Sequence, residues 1–295
     1  MGNQAEYEAH AYDHGEAPPP PYQYNANSTY PPSEPAPSYH GGESSTGAGP
    51  ISGVNPKFPP VLNAYVKWGF TKTFHLGETK DTPSLAARWH SGFTKKPELE
   101  LFDGPDDKGT ILATANHESM FKSNSILTIP AREGVPHDVE SQRVTMSCPK
   151  LLKSKTYAFA ADVGVGKETR REQFEWRSSH GSEVRELDGY RWGWKLVRLS
   201  GGSVSAGGDR GTRGSGSTSD GLEVVAAWAH NNSMSMTKAF KFQLMGSALT
   251  GMLGERGATV ALISALRIWA IEIATSSAAS GNAASAASAA AVAAS

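Results

Sequence analysis

The densest run of positive charge in the chain lies between residues 143 and 171. Here Arg143, Lys150, Lys153, Lys155, Lys167, Arg170 and Arg171 are set against only Asp162 and Glu168. Clustered ammonium and guanidinium groups recognise phosphate and other polyanions by Coulomb attraction and by charge-assisted N–H donors. Lys150, Lys153, Lys155, Lys167, Arg170 and Arg171 are therefore the candidate anion-binding set, and an anionic, phosphoinositide-like membrane lipid is the expected ligand. The alternative that any such run allows is a solvated face of ordinary strands.

A second motif serves a different chemistry. Pro18-Pro19-Pro20-Pro21-Tyr22 contains the Pro-Pro-x-Tyr pattern at Pro19, Pro20 and Tyr22. Prolines preform a polyproline II helix, which docks in an aromatic-lined groove at little ordering cost, so a WW-domain protein is the expected partner. This gives a second functional reading, a soluble adaptor or scaffold that recruits such proteins through its tail.

Catalytic patterns fail one by one, and no cofactor or metal is expected. Gly164-Val165-Gly166-Lys167-Glu168-Thr169 has Ala161 where a phosphate loop needs glycine and Glu168 where it needs Ser or Thr, which leaves a hairpin turn. Asp103-Gly104-Pro105-Asp106-Asp107-Lys108 is acidic, but Pro105 and Lys108 spoil a calcium loop and leave a strand-connecting turn. His75, His90, His117, His137, His180 and His230 are scattered, without zinc-ligand spacing. Cys148, the single cysteine, reads as a small core residue. Arg191-Trp192-Gly193-Trp194-Lys195 interleaves bases and aromatics as single-strand nucleic-acid binders do, yet strand alternation puts the tryptophans on one face, a core face. The expected role is binding rather than catalysis.

The elements that must carry these residues are mostly strands. Period-two alternation marks Ala64–Trp68, Lys72–Leu76, Leu85–His90, Glu98–Phe102, Ile111–Ala115, Ser125–Ile129, Ser141–Ser147, Thr156–Ala161, Glu172–Arg177, Glu183–Leu187, Gly193–Arg198, Leu222–Ala229 and Ala239–Leu244. One helix, roughly Glu255 to Ala274, is apolar on nearly every face and must be buried in protein or membrane. Its apolar stretch Ala258–Leu266 is short of the roughly 20 residues a bilayer span needs, so no transmembrane span is expected. Many short strands with one greasy helix imply a mainly β fold: an antiparallel barrel wrapped around a central C-terminal helix. Arg267 and Glu272 are expected at the helix exit, near solvent.

Composition divides the chain further. Residues 1–55 hold six acids and no Lys or Arg amid Pro, Tyr, Ser and Gly, and are read as a disordered acidic tail. Residues 275–295 are Ala/Ser low complexity, a second flexible tail, and residues 201–221 are a flexible Gly/Ser insertion. The formal charge of −1 hides an asymmetry, since all 28 Lys and Arg residues fall within 56–274 beside 23 acids. With one cysteine, no intrachain disulfide can form, and the first residues carry no apolar run. An intracellular, cytoplasmic protein, peripheral at membranes, is expected.

Four segments also carry a resemblance. Phe174-Glu175-Trp176-Arg177, then Gly181-Ser182-Glu183-Val184, then Gly193-Trp194-Lys195-Leu196-Val197-Arg198-Leu199, then Leu253-Gly254-Glu255-Arg256 leading into Leu262-Ile263-Ser264-Ala265-Leu266-Arg267-Ile268-Trp269, resemble a family of fungal proteins of the tubby C-terminal-like group. The resemblance covers about Pro59 to Ile273. It implies a barrel of about twelve antiparallel strands around a central hydrophobic helix, in a superfamily that includes phosphoinositide-binding tubby proteins, LURP-one-related proteins and phospholipid scramblases. The chain has no Cys-rich acylation segment, no acidic calcium loop of the scramblase kind and no tubby C-terminal signature, so the resemblance assigns no lipid-binding residue.

Overall fold

The computed structural model describes residues 58–66, 73–90, 94–119, 122–131, 140–148, 156–187, 189–200, 216–231 and 238–293. Twelve strands follow one another: β1 Val61–Val66, β2 Thr73–Gly77, β3 Pro83–Trp89, β4 Leu99–Asp103, β5 Thr110–Ser119, β6 Lys122–Ile129, β7 Gln142–Met146, β8 Thr156–Val163, β9 Arg170–Ser179, β10 Gly189–Arg198, β11 Glu223–Asn231 and β12 Lys238–Leu244. They form one sheet in the order β7-β6-β5-β4-β3-β2-β1-β12-β11-β10-β9-β8, with antiparallel pairings. The edges β7 and β8 meet through the bridge Ser147–Ala158, whose two backbone hydrogen bonds are 2.9 Å each. The sheet is therefore a nearly closed antiparallel barrel, as its alternation implied.

The helix α2, Gly254–Ala293, enters this barrel and fills it. Val260, Leu262, Ile263, Leu266 and Ile268 are fully buried and Trp269 nearly so. They meet inward residues of the strands, such as Tyr157, Phe159, Ala161 and Val163 of β8, which alternate with more exposed neighbours. Burying each large apolar side chain is worth roughly 1.5–3 kcal/mol, so the helix is a principal source of the barrel's stability. Aromatic rings collar its last buried turn: Trp269 lies 5.0 Å from Phe74, 5.0 Å from Trp89 and 5.3 Å from Phe240 between ring centroids. The helical backbone continues past Ala274 to Ala293, through a sequence rich in alanine, the strongest helix former.

One expectation needs correcting. Glu183–Leu187 is not a strand: Ser182–Arg185 is a short helix, α1. Val184 and Leu187 are three apart, a helical spacing, and both are buried with Val224, Ala227, Ala229 and Met245 in a small second cluster on the outside of β10 and β11. By length and composition alone the segment Gly254–Ser276 could cross a bilayer, but most of it is buried, which is consistent with the expectation of no transmembrane span. Its apolar side chains are taken up by the barrel.

Antiparallel order gives the barrel two distinct ends. We call the end where α2 begins the base and the end where it leaves the mouth. Gly254 lies against the end of β8 at the base: Gly164 N donates to Leu253 O at 3.3 Å. Gly254 has φ +64, and a Cβ there would stand 2.2 Å from Gly164 O, so glycine is required on both counts.

Candidate functional site

At the mouth the strand ends bring together residues far apart in sequence. Arg267, expected near solvent, is only 3% exposed. Its guanidinium donates from Nε to Ser125 Oγ at 3.0 Å, from Nη1 to Glu98 Oε2 at 2.7 Å and from Nη2 to His117 Nδ1 at 2.8 Å. Burying a charge is costly unless it is paired and hydrogen-bonded, and these partners supply the pairing. Glu98 also accepts the His117 backbone N–H at 3.1 Å. Burial alone would raise the Glu98 carboxyl. The Arg267 charge and the hydrogen bonds from His117 and Arg267 outweigh it and hold the group below its ordinary range.

Two further histidine–carboxylate pairs ring the same end. His90 Nε2 lies 2.6 Å from Glu100 Oε2, and His230 Nε2 lies 2.9 Å from Glu272 Oε2. Glu272 also accepts from Trp194 Nε1 at 3.0 Å, so its carboxylate is enclosed rather than solvated as expected. The histidines that look scattered in sequence thus include three that stand beside a glutamate at the mouth. Strand order explains it: β3 ends just before His90, β4 begins just after Glu98, β5 passes His117 and β11 passes His230, all at one end of the barrel. A sequence signal existed in His and Glu at the ends of successive strands, but only the register gives it meaning. Among the described residues no group of three or more His, Cys, Asp or Glu side chains could hold a metal ion.

A cavity of about 420 Å³ opens here between α2 and the ends of β3 to β5. Trp89, Ala270, Ile271 and Ile273 form its apolar wall, and His90, Glu98, His117 and Arg267 its polar wall. That volume and mixture are typical of a small-molecule pocket.

The basic stretch lies elsewhere. Lys167 is exposed in the tight turn Gly166–Glu168 between β8 and β9, at the base. Arg170 Nε reaches Glu172 Oε1 at 2.5 Å and Arg171 Nη1 reaches Asp162 Oδ1 at 3.3 Å. Glu172 is also held by Arg198, Nε to Oε2 at 2.5 Å and Nη2 to Oε1 at 2.7 Å. Burial would raise the Glu172 carboxyl, but the hydrogen bonds from Arg198 and Arg170 hold it low. Arg170 is thus tied into a buried carboxylate, while Lys167 has no ion-pair partner among the described residues. Lys150, Lys153 and Lys155 lie outside the described residues, as do Pro19, Pro20 and Tyr22.

The same turn carries an apolar side chain that the charge count passes over. Val165 is 71% exposed, between Gly164 and Gly166. The described residues include two other exposed large hydrophobics, Ile111 and Leu249. Ile111 is near the start of β5, and Leu249 is in the turn leading to α2, so both are also at the base.

The remaining motifs settle as structure. Asp103–Lys108 links β4 to β5, with Asp107 Oδ2 bound by Arg88 Nη1 at 2.5 Å. Trp194 is buried against Tyr157 and Trp228, and Cys148 is buried in the core.

Compared with known proteins, the chain matches no family model, no curated protein and no solved structure.

Proposed function

We infer that this is a non-catalytic binding protein whose barrel is a peripheral membrane module, docking its base on anionic, phosphoinositide-like lipid. The observation that carries this reading is the β8–β9 turn, where exposed Val165 stands beside exposed Lys167, with Arg171 a few residues on. An apolar tip flanked by cations suits the interface, because the tip enters the acyl boundary while the cations stay at the headgroups. Each Lys or Arg near an anionic leaflet adds about 1 kcal/mol of attraction. The location of Ile111 and Leu249 at the same end supports the same orientation. The resemblance to the tubby C-terminal-like group, which includes phosphoinositide binders, is in keeping with it.

The test is co-sedimentation of the full chain with vesicles of phosphatidylcholine alone or with a phosphoinositide, across a salt series. Binding is expected to require the anionic lipid and to weaken as salt rises. Val165→Asp and the double variant Lys167→Glu/Arg171→Glu should each reduce the bound fraction several-fold. Absence of binding to any vesicle overturns the reading. The adaptor role of Pro19, Pro20 and Tyr22 then becomes the better proposal, tested by whether Tyr22→Ala abolishes capture by a WW domain.

A further inference from the structure

The outer wall of the barrel carries a second cavity, of about 400 Å³, between the β2–β3 and β4–β5 turns. Tyr65, Pro83 and Pro105 give it apolar walls, and His75, Lys80, Asp81 and Asp106 supply its polar groups. Strand alternation puts Tyr65 and His75 there. They pair across β1 and β2, while their neighbours Ala64, Phe74 and Leu76 belong to the core.

Both turns are pinned to this wall. Asn63 Nδ2 donates to Glu78 O at 2.8 Å, and Tyr65 OH donates to the same carbonyl at 3.4 Å. His75 Nδ1 donates to Pro105 O at 2.7 Å, and Asp107 is held by Thr73 and Arg88. A cleft between pinned turns needs little further ordering when a ligand enters.

The polar atoms left over are mostly acceptors. A carbonyl only accepts, so Nδ1 carries the proton of the neutral His75 ring and Nε2 keeps its lone pair. Asp106 Oδ1 takes the Lys108 backbone N–H at 3.0 Å, and Oδ2 has no partner among the described residues. Asp81 is exposed and makes no hydrogen bond or ion pair among the described residues. Its charge reaches the Tyr65 phenol, which burial raises and Asp81 raises further. None of these acceptors is closed to solvent. Lys80 is the one cation on the wall, and it is exposed, without an ion pair among the described residues.

Two carboxylates against one lysine leave a negative charge in excess. Three acceptors of this kind beside a tyrosine ring complement a protonated primary amine. Its three N–H groups match them, and its charge suits both the carboxylates and the ring. An anionic head would face Asp81 and Asp106.

We propose that the cleft between the β2–β3 and β4–β5 turns binds a small organic primary ammonium on a short hydrocarbon body. Asp81, Asp106 and His75 Nε2 hold the ammonium, and the hydrocarbon lies along Tyr65, Pro83 and Pro105. Lys80 opposes entry and lowers the affinity.

The experiment follows the backbone amides of Asp81 and Asp106 in the vesicle-free full chain by ¹H–¹⁵N NMR at pH 7. Titrants are benzylamine, benzyl alcohol and benzyltrimethylammonium, which share a ring and differ in charge and N–H donors. Benzylamine is expected to shift both peaks saturably, and to bind more weakly as salt rises. The alcohol lacks the charge and the trimethylammonium lacks the donors, so each should bind about tenfold more weakly. Asp81→Asn removes no hydrogen bond of the turn and should cost about the same factor, read at the Asp106 amide. Lys80→Ala should tighten benzylamine binding. No saturable shift overturns the proposal. So does equal binding of benzyl alcohol, which makes the cleft a plain apolar groove, or of benzyltrimethylammonium, which makes it an unspecific cation surface. Unchanged affinity in Asp81→Asn overturns it as well. No vesicle is present, so failure here leaves the lipid reading of the base untouched.

Discussion

Removing the Arg267 side chain leaves the Glu98 carboxylate without its cation and Ser125 Oγ without its donor. Breaking a buried pair from one side costs about 3–5 kcal/mol. Glu98 keeps 29% side-chain exposure, so Arg267→Ala should fall at the lower end, near 3 kcal/mol, in urea unfolding. The acid limb of stability reports on the same pair. A carboxyl held low in the folded state stabilises above its unfolded value and loses that contribution as pH falls through its folded value. Glu98 is held below its ordinary 4.5, so stability should drop as pH falls below that value. Glu98→Gln should make the drop shallower without removing it, because Glu172 and Glu183 are also held low and act on the same side. None of this could be read from spacing. Glu98, His117 and Arg267 are neighbours only because β4, β5 and α2 bring one end of each to the mouth.

At the scale of elements, the helix was the most legible part of the sequence and its surroundings the least. A segment apolar on every side has few places to go, and α2 fills the barrel as its composition required. Leu262→Ala or Ile263→Ala should cost about 2–5 kcal/mol in urea unfolding, since each side chain is fully buried and leaves a cavity. The first residue of α2 is as constrained as its middle. Gly254→Ala adds a Cβ against Gly164 O and forces a positive φ, which should lower the thermal midpoint by several degrees. Strands announced themselves wherever one face was buried and the other wet, as in β8. The segment Glu183–Leu187 misled because it has two apolar residues, and two points fit a strand nearly as well as a helix. What decides it is the second cluster over β10 and β11, a tertiary fact. The basic stretch was legible as charge but not as surface: Arg170 is committed to buried Glu172, and the exposed Val165 beside it adds the apolar half of the same turn.

Across the whole molecule, α2 separates two chemistries. From Gly254 to Arg267 the helix rises about 20 Å, at 1.5 Å per residue, from an end with exposed apolar side chains to an end with histidine–glutamate pairs and a cavity. Vesicle binding should be unchanged by Trp89→Phe, because that side chain is at the mouth. The seam at Ser147–Ala158 is a further whole-molecule feature, because one bridge stands where other neighbours share full ladders. Native-state hydrogen exchange should show the Ser147 and Ala158 amides opening before those of β11, which is paired on both sides.

The β1–β12 pairing has a consequence for how the chain is made. Val61, in the first strand, pairs with Gln243, in the last, and the helix that fills the barrel follows both. During synthesis the meanders β1 to β7 and β8 to β12 can each begin to form from neighbouring strands, but their inner faces have nothing to cover them. Until α2 leaves the ribosome, Leu62, Leu99, Trp176 and Phe240 all face an empty centre. The nascent protein therefore carries an exposed apolar surface for nearly the whole time of its translation. A chain released before residue 254 should be a client of holdase chaperones rather than a partly folded barrel.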